Sequence, residues 1–190
     1  MKIFRICMAV LLLLSTSCTT ILVATTDENG IQEDPSVRTA GTIVEDESIE
    51  TKVTVNMKSM EPAFKDAHFN VISHNGVVLL VGQVQSESLK RRAGEIAAAA
   101  SAQVRRVHNE LEVAGKTTLL ARANDSWIST KVRTQMAANK DVPSGKIRVI
   151  TENNTVYLMG ILTQAEGDRA ALLARNVSGV AKVVKVFEYI

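Results

Sequence analysis

The 190-residue sequence predicts an α+β protein made of two copies of one small domain. Two observations carry this. Asp46-Glu47-Ser48-Ile49-Glu50-Thr51-Lys52-Val53 aligns with Asp125-Ser126-Trp127-Ile128-Ser129-Thr130-Lys131-Val132 at a shift of 79, with five of eight positions identical. Within each copy the apolar spacing then changes in the same order: period four, two short alternating runs, an alanine- and leucine-rich stretch, and a last alternating run.

The first element of each copy is a helix. Ile49, Val53 and Met57, and Ile128, Val132 and Met136, recur every four residues and lay one apolar stripe along it. The alternating runs that follow flank Asn75-Gly76 and Asn153-Asn154, pairs that adopt positive φ readily, so each copy carries a β-hairpin. Asn70-Val71-Ile72 through Leu80-Val81-Gly82 matches Arg148-Val149-Ile150 through Leu158-Met159-Gly160 at a shift of 78, and Val104 and Val107 match Val180 and Val183 at 76. Indels between matched blocks are expected where loops absorb them. Residues 89–102 and 164–176 form the second helices, and residues 104–113 and 180–190 the last strands. Each copy therefore runs αββαβ, two helices against one face of a three-stranded sheet.

Residues 1–17 have the makeup of an export signal. Lys2 and Arg5 precede an apolar run over residues 6–14, about half of the roughly 20 residues that a spanning helix needs. Small residues Ser15, Thr16 and Ser17 lead to Cys18, the candidate for lipidation. This segment resembles the bacterial lipoprotein signal, departing from it at Ser15, where leucine is usual; the alternative is an ordinary signal peptide cut near Ser17, leaving Cys18 a thiol. Thr19, rather than an aspartate, follows the cysteine, and the resemblance then implies sorting to the outer membrane. Cys7 leaves with the signal, so the mature chain holds no internal disulfide and depends on its core. Residues 18–45, rich in Asp, Glu, Asn, Gly, Pro and Thr, read as the lipidated N-terminus and a solvated tether; residues 46–115 and 116–190 are the two domains.

Charge is distributed unevenly: −4 over residues 18–45, −1 over 46–115 and +5 over 116–190. No catalytic group, metal site or cofactor is expected. His68, His74 and His108 lack partners at ligand spacing, and no phosphate loop, nucleophile elbow or dinucleotide fingerprint occurs. Glu45, Asp46, Glu47 and Glu50 are expected to favour a helix N-terminus rather than to form a carboxylate pair. Lys90-Arg91-Arg92 and Arg105-Arg106 are expected on solvated surface, not on nucleic acid, since no tryptophan or tyrosine interleaves them.

Positions that differ between the copies are candidates for function, because the shared fold does not need them. Trp127, the only tryptophan, stands opposite Ser48, about 100° around the helix from the stripe position Ile128. Its sector includes Leu120, Ala123, Thr130, Lys131 and Thr134, with Arg122 and Arg133 flanking. An indole among small or hydroxyl side chains, with cations nearby, suits an interface with anionic phospholipid; packing between the domains is the alternative. Tyr157, Met159, Val184 and Val186 are assigned to interdomain packing.

The αββαβ order, the hairpins ending at Gly82 and Gly160, and Val177-Ser178-Gly179-Val180 resemble the BON domain of bacterial envelope proteins. The first copy has Gln103 opposite Gly179, so its turn before the last strand is expected to differ. With the signal, the two tandem copies and Asn124-Asp125-Ser126-Trp127-Ile128, the whole chain resembles the dual BON-domain outer-membrane lipoproteins. That resemblance implies a non-enzymatic, periplasm-facing lipoprotein that binds anionic phospholipid through its second domain. It also implies a part in outer-membrane integrity, placement at division sites and links to the outer-membrane protein assembly machinery. An adaptor that docks on that machinery is the alternative function.

Overall fold

A computed structural model describes residues 34–190. The signal, Cys18 and most of the tether lie outside the described residues.

The elements follow the expected order. In the first domain they are α1 (Ala40–Met60), β1 (His68–His74), β2 (Val77–Val84), α2 (Glu87–Ala99) and β3 (Arg106–Val113). In the second they are α3 (Leu119–Ala138), β4 (Arg148–Glu152), β5 (Thr155–Leu162), α4 (Gln164–Arg175) and β6 (Lys182–Tyr189). Short 3-10 turns at Pro62–Lys65 and Ser144–Lys146 lead into the first strand of each sheet. Each sheet pairs an antiparallel hairpin with a parallel third strand, in the orders β1-β2-β3 and β4-β5-β6.

Helix α1 begins earlier than expected, at Ala40 rather than Asp46, because Thr39 caps it: its Oγ1 accepts from Thr42 N at 3.1 Å. Residues 40–45 are thus helix and not tether. The acidic residues Glu45, Asp46, Glu47 and Glu50 consequently lie beyond the first turn, where the helix dipole does little for them.

Asp46 has a different task. Its Oδ1 accepts from Ser73 Oγ (2.7 Å) and Gly76 N (3.0 Å), and its Oδ2 from Asn75 N (2.8 Å) and Arg38 Nη1 (2.8 Å). The buried carboxylate therefore clamps the hairpin turn to the helix. Asp125 repeats the device, taking Asn154 N on Oδ1 and Asn153 N on Oδ2, both at 2.9 Å. Asn75, Gly76, Asn153 and Asn154 all have positive φ, as such turns require. Gly82 and Gly160 are shared for a steric reason: a Cβ there would stand 2.2 Å from the His68 carbonyl oxygen and 2.4 Å from that of Lys146.

Each domain has its own core on the helix face of its sheet. In the first, Ile49, Val53 and Met57 of α1 meet Val78, Leu80 and Leu111 of the sheet and Ala93, Ile96 and Ala97 of α2. In the second, Ile128, Val132 and Met136 meet Val156, Leu158 and Phe187, with Ala170, Ala174 and Val177.

The other faces of the two sheets pack against each other. Ile72, Val77, Leu79 and Val81 meet Tyr157, Met159 and Val186, with Val184 partly buried beside them, as the interdomain assignment expected. The layers are thus helices, sheet, sheet, helices. This explains why every residue of β2 and of β5 is buried: both of their faces are covered.

Polar bonds close the seam in matched pairs. Asn75 Nδ2 donates to Glu188 Oε2 at 2.9 Å, and its equivalent Asn153 Nδ2 donates to Glu112 Oε2, the equivalent of Glu188, at 3.2 Å. Arg105, exposed as expected, also reaches this seam: its Nε donates to the Asn75 carbonyl (2.8 Å) and its Nη2 to Glu188 Oε1 (2.5 Å).

Candidate functional site

Helix α3 is capped by Thr118, whose Oγ1 accepts from Ala121 N at 3.2 Å. Ile128, Val132 and Met136 hold its buried stripe to the sheet, and Asp125 pins it to the hairpin. What remains outward is set by helical geometry.

Trp127 is exposed, at 61%, and does not pack between the domains. Leu120, Ala123, Thr130 and Thr134 share its exposed sector. Leu120 is 82% exposed and Leu119, which the sequence reading passed over, is 78% exposed beside it. Two consecutive leucines directly after a capping threonine, neither of them at a stripe position, were the available signal. Thr130 turns its hydroxyl back to the Ser126 carbonyl at 3.0 Å, which leaves the sector with its methyl group and the indole.

The cations are arranged differently from expectation. Arg122 and Arg133 lie about 140° and 120° around the helix from Trp127. Arg122 Nη2 donates to the Thr117 carbonyl at 3.2 Å and Arg133 Nη2 to the Val149 carbonyl at 2.7 Å, on the flank of α3 that meets β4. Lys131 donates to the Ser178 carbonyl. The structure therefore gathers an apolar face around Trp127 and turns both arginines of the expected set away from it.

Lys131 also explains the Val177-Ser178-Gly179-Val180 segment. Gly179 has φ 98°, and a Cβ on it would stand 3.2 Å from Ile128 Cγ1 and 3.6 Å from Lys131 Nζ. Its carbonyl accepts from Asn154 Nδ2 at 3.0 Å, so the loop is tied to both the hairpin turn and the helix behind Trp127. In the first copy Ser101 Oγ donates to Gln103 Oε1 at 2.5 Å within the turn, and Arg105 N ties the turn to the hairpin through the Gly76 carbonyl at 2.8 Å.

Among the described residues no cluster of three metal-ligating side chains occurs, and no helix is long and apolar enough to cross a membrane. His68 and His74 lie at the domain seam. Burial and the nearby Arg38 charge push His74 down to about 4, so it stays neutral at physiological pH.

Residues 45–115 and 124–190 each match the BON domain. The chain belongs to the BON-domain family, with two copies. It is 40% identical over 153 residues to the 21 kDa hemolysin of Actinobacillus pleuropneumoniae, covering 80% of this chain and 78% of the relative. It is 37% identical over 153 residues to the outer membrane lipoprotein DolP of Haemophilus influenzae, covering 80% and 79%. It is 29% identical over 163 residues to the osmotically-inducible protein Y of Escherichia coli, covering 84% and 80%.

Proposed function

We propose that this chain is a non-enzymatic outer-membrane lipoprotein, acylated on Cys18, whose second BON domain contacts anionic phospholipid and helps to maintain the outer membrane, at division sites among others. The observation that carries the lipid contact is the exposed Trp127 with Leu119 and Leu120 on the outer face of α3. The likeness to an outer membrane lipoprotein over four-fifths of the chain supports the location.

A buried leucine or comparable side chain gains about 1.5–3 kcal/mol relative to exposure. Partial insertion of this face adds a second contact to an acyl anchor, which on its own holds reversibly. With Arg122 and Arg133 engaged elsewhere, preference for anionic lipid rests on the +5 excess of residues 116–190 acting at a distance.

The test uses the whole chain, because an isolated second domain would lay Tyr157 and Met159 bare. Binding to phosphatidylglycerol-containing vesicles is compared with binding to phosphatidylcholine alone, for the native protein and for Trp127→Glu. We expect the substitution to weaken binding about tenfold, the 1.4 kcal/mol equivalent of losing one partly inserted side chain, and added salt to erase the anionic preference. Unchanged binding by Trp127→Glu would reject the lipid contact and leave this face to a protein partner.

A further inference from the structure

Because the two domains meet at equivalent positions, residues 78 or 79 apart can be compared as one site built twice. On the outer edge of β1, Ser73 N donates to Glu50 Oε1 at 2.8 Å, and the Ser73 carbonyl accepts from Arg148 Nη1 at 3.0 Å. Arg148 Nη1 also donates to Glu50 Oε1 at 2.8 Å. A carboxylate from α1 and a guanidinium from the other domain thus seal this edge.

The equivalent of Ser73 is Thr151 on β4. Both residues stand just before the pair that closes a two-residue hairpin, His74 with Val77 and Glu152 with Thr155. Thr151 therefore also directs its N–H and C=O away from the partner strand. Its surroundings differ. Ser129 replaces Glu50, and its hydroxyl donates to Thr151 Oγ1 at 2.8 Å; Asn70 replaces Arg148. Among the described residues no side chain takes the Thr151 amide, and a cleft of about 380 Å³ opens between α3, β4 and β1.

The charge of the cleft is inverted relative to its counterpart. Ile43, Glu47, Glu50 and Thr54 on α1 correspond to Arg122, Ser126, Ser129 and Arg133 on α3. Neither arginine pairs with a carboxylate among the described residues; their bonds go to the carbonyls of Thr117 and Val149. Among the described residues three buried side-chain polar atoms have no hydrogen-bond partner, and two of them belong to residues lining this cleft: Arg122 Nε, and His68 Nε2, which stands 3.6 Å from Glu152 Oε1. The cleft also holds Asp125 and Glu152, but Asp125 takes the amides of Asn153 and Asn154 and Glu152 Oε1 takes Gln83 Nε2, so Arg122 and Arg133 stand where the first domain has its own carboxylate, Glu50.

We propose that this cleft binds an acidic, extended segment of a partner polypeptide, one carboxylate standing beside Thr151 where Glu50 stands beside Ser73. Length favours a polypeptide over a lone anion: Arg122 and Arg133 lie about 16 Å apart along the helix axis, which about five residues of extended chain would span. This site is on a different flank of α3 from Trp127 and does not depend on the lipid contact.

The experiment follows the Thr151 amide by NMR in the full chain, titrated with hexaglutamate peptide, with inorganic phosphate, and with phosphatidylglycerol vesicles. Hexaglutamate should give a saturable shift of Thr151. Affinity should fall about tenfold or more in Ser129→Glu, which returns an internal carboxylate to the cleft, and in the Arg122→Gln/Arg133→Gln double variant, which keeps the hydrogen-bonding reach without the charge. The double variant decides the matter if Ser129→Glu, one turn from Asp125, fails to fold. The proposal is overturned if hexaglutamate leaves Thr151 unmoved, or if the double variant binds it as well as the native chain does. It is equally overturned if phosphate competes at equal concentration, which would make this a small-oxyanion site, or if vesicles alone move Thr151, which would make it a lipid site.

Discussion

Replacing Asp46 with asparagine separates the two hairpin clamps by strength. Asp46 takes four hydrogen bonds, two on each oxygen, whereas Asp125 takes two backbone amides and no guanidinium. An asparagine of the same shape keeps one oxygen and sets an NH₂ where the other stood, facing donors. At position 46 this breaks two charge-assisted bonds and leaves a buried amide and a guanidinium unpaired. At roughly 1–3 kcal/mol for each donor left unsatisfied, Asp46→Asn should cost about 3–5 kcal/mol and Asp125→Asn about 1–3 kcal/mol. The first figure is a large part of a typical 5–15 kcal/mol stability. Guanidinium denaturation gives both values, and hydrogen exchange at Asn75 and Gly76 shows whether the loss is local. The dependence on pH is a second check. Burial opposes ionisation of Asp46, but the Gly76 amide, the Ser73 hydroxyl, Arg38 and the Asn75 amide outweigh it and hold its pKa below the ordinary 3.8. A carboxylate lowered on folding stabilises above its unfolded pKa, so the gap between native and Asp46→Asn proteins should persist at neutral pH and close only in strong acid. A cost at Asp46 no larger than that at Asp125 would refute the clamp argument.

Three further outcomes follow from the same structure. His74, with its pKa lowered from 6.5 to about 4, binds its proton more readily in the unfolded chain. Its contribution is complete above pH 6.5 and lost toward pH 4, about 3 kcal/mol in total, and denaturation at pH 7 and pH 4.5 should show a slope that His74→Gln removes. Met159→Ala, at a fully buried seam position, should cost about 2–5 kcal/mol, seen as a lowered denaturation midpoint. Gly179→Ala, at positive φ and against Ile128, should cost about 1–2 kcal/mol by the same measurement, while Gln103→Gly in the first copy brings no gain of that size.

Element order and both core stripes were legible in the sequence because periodicity records which face is buried, and Ile49, Val53 and Met57 do so at one per turn. The interdomain role of Tyr157, Met159, Val184 and Val186 was legible for the same reason, as apolar residues on the face the helices do not cover. The start of α1 was not, because a threonine cap within a polar stretch looks like tether. Asp46 was misread because a buried carboxylate and a solvated one have the same letter; only the hairpin 30 residues away gives it partners. Arg122 and Arg133 were placed near Trp127 by sequence proximity, whereas their helical angles take them to β4.

The matched seam contacts, Asn75 with Glu188 and Asn153 with Glu112, have the form of an isologous homodimer interface written into one polypeptide. Fusion makes association intramolecular and concentration-independent, which frees each half to lose what the other retains. It also means that two chains can trade second domains and form the same seam twice, with residues 114–118 as the hinge. Shortening that hinge is therefore expected to favour an exchanged dimer, in which each native seam is built from two chains.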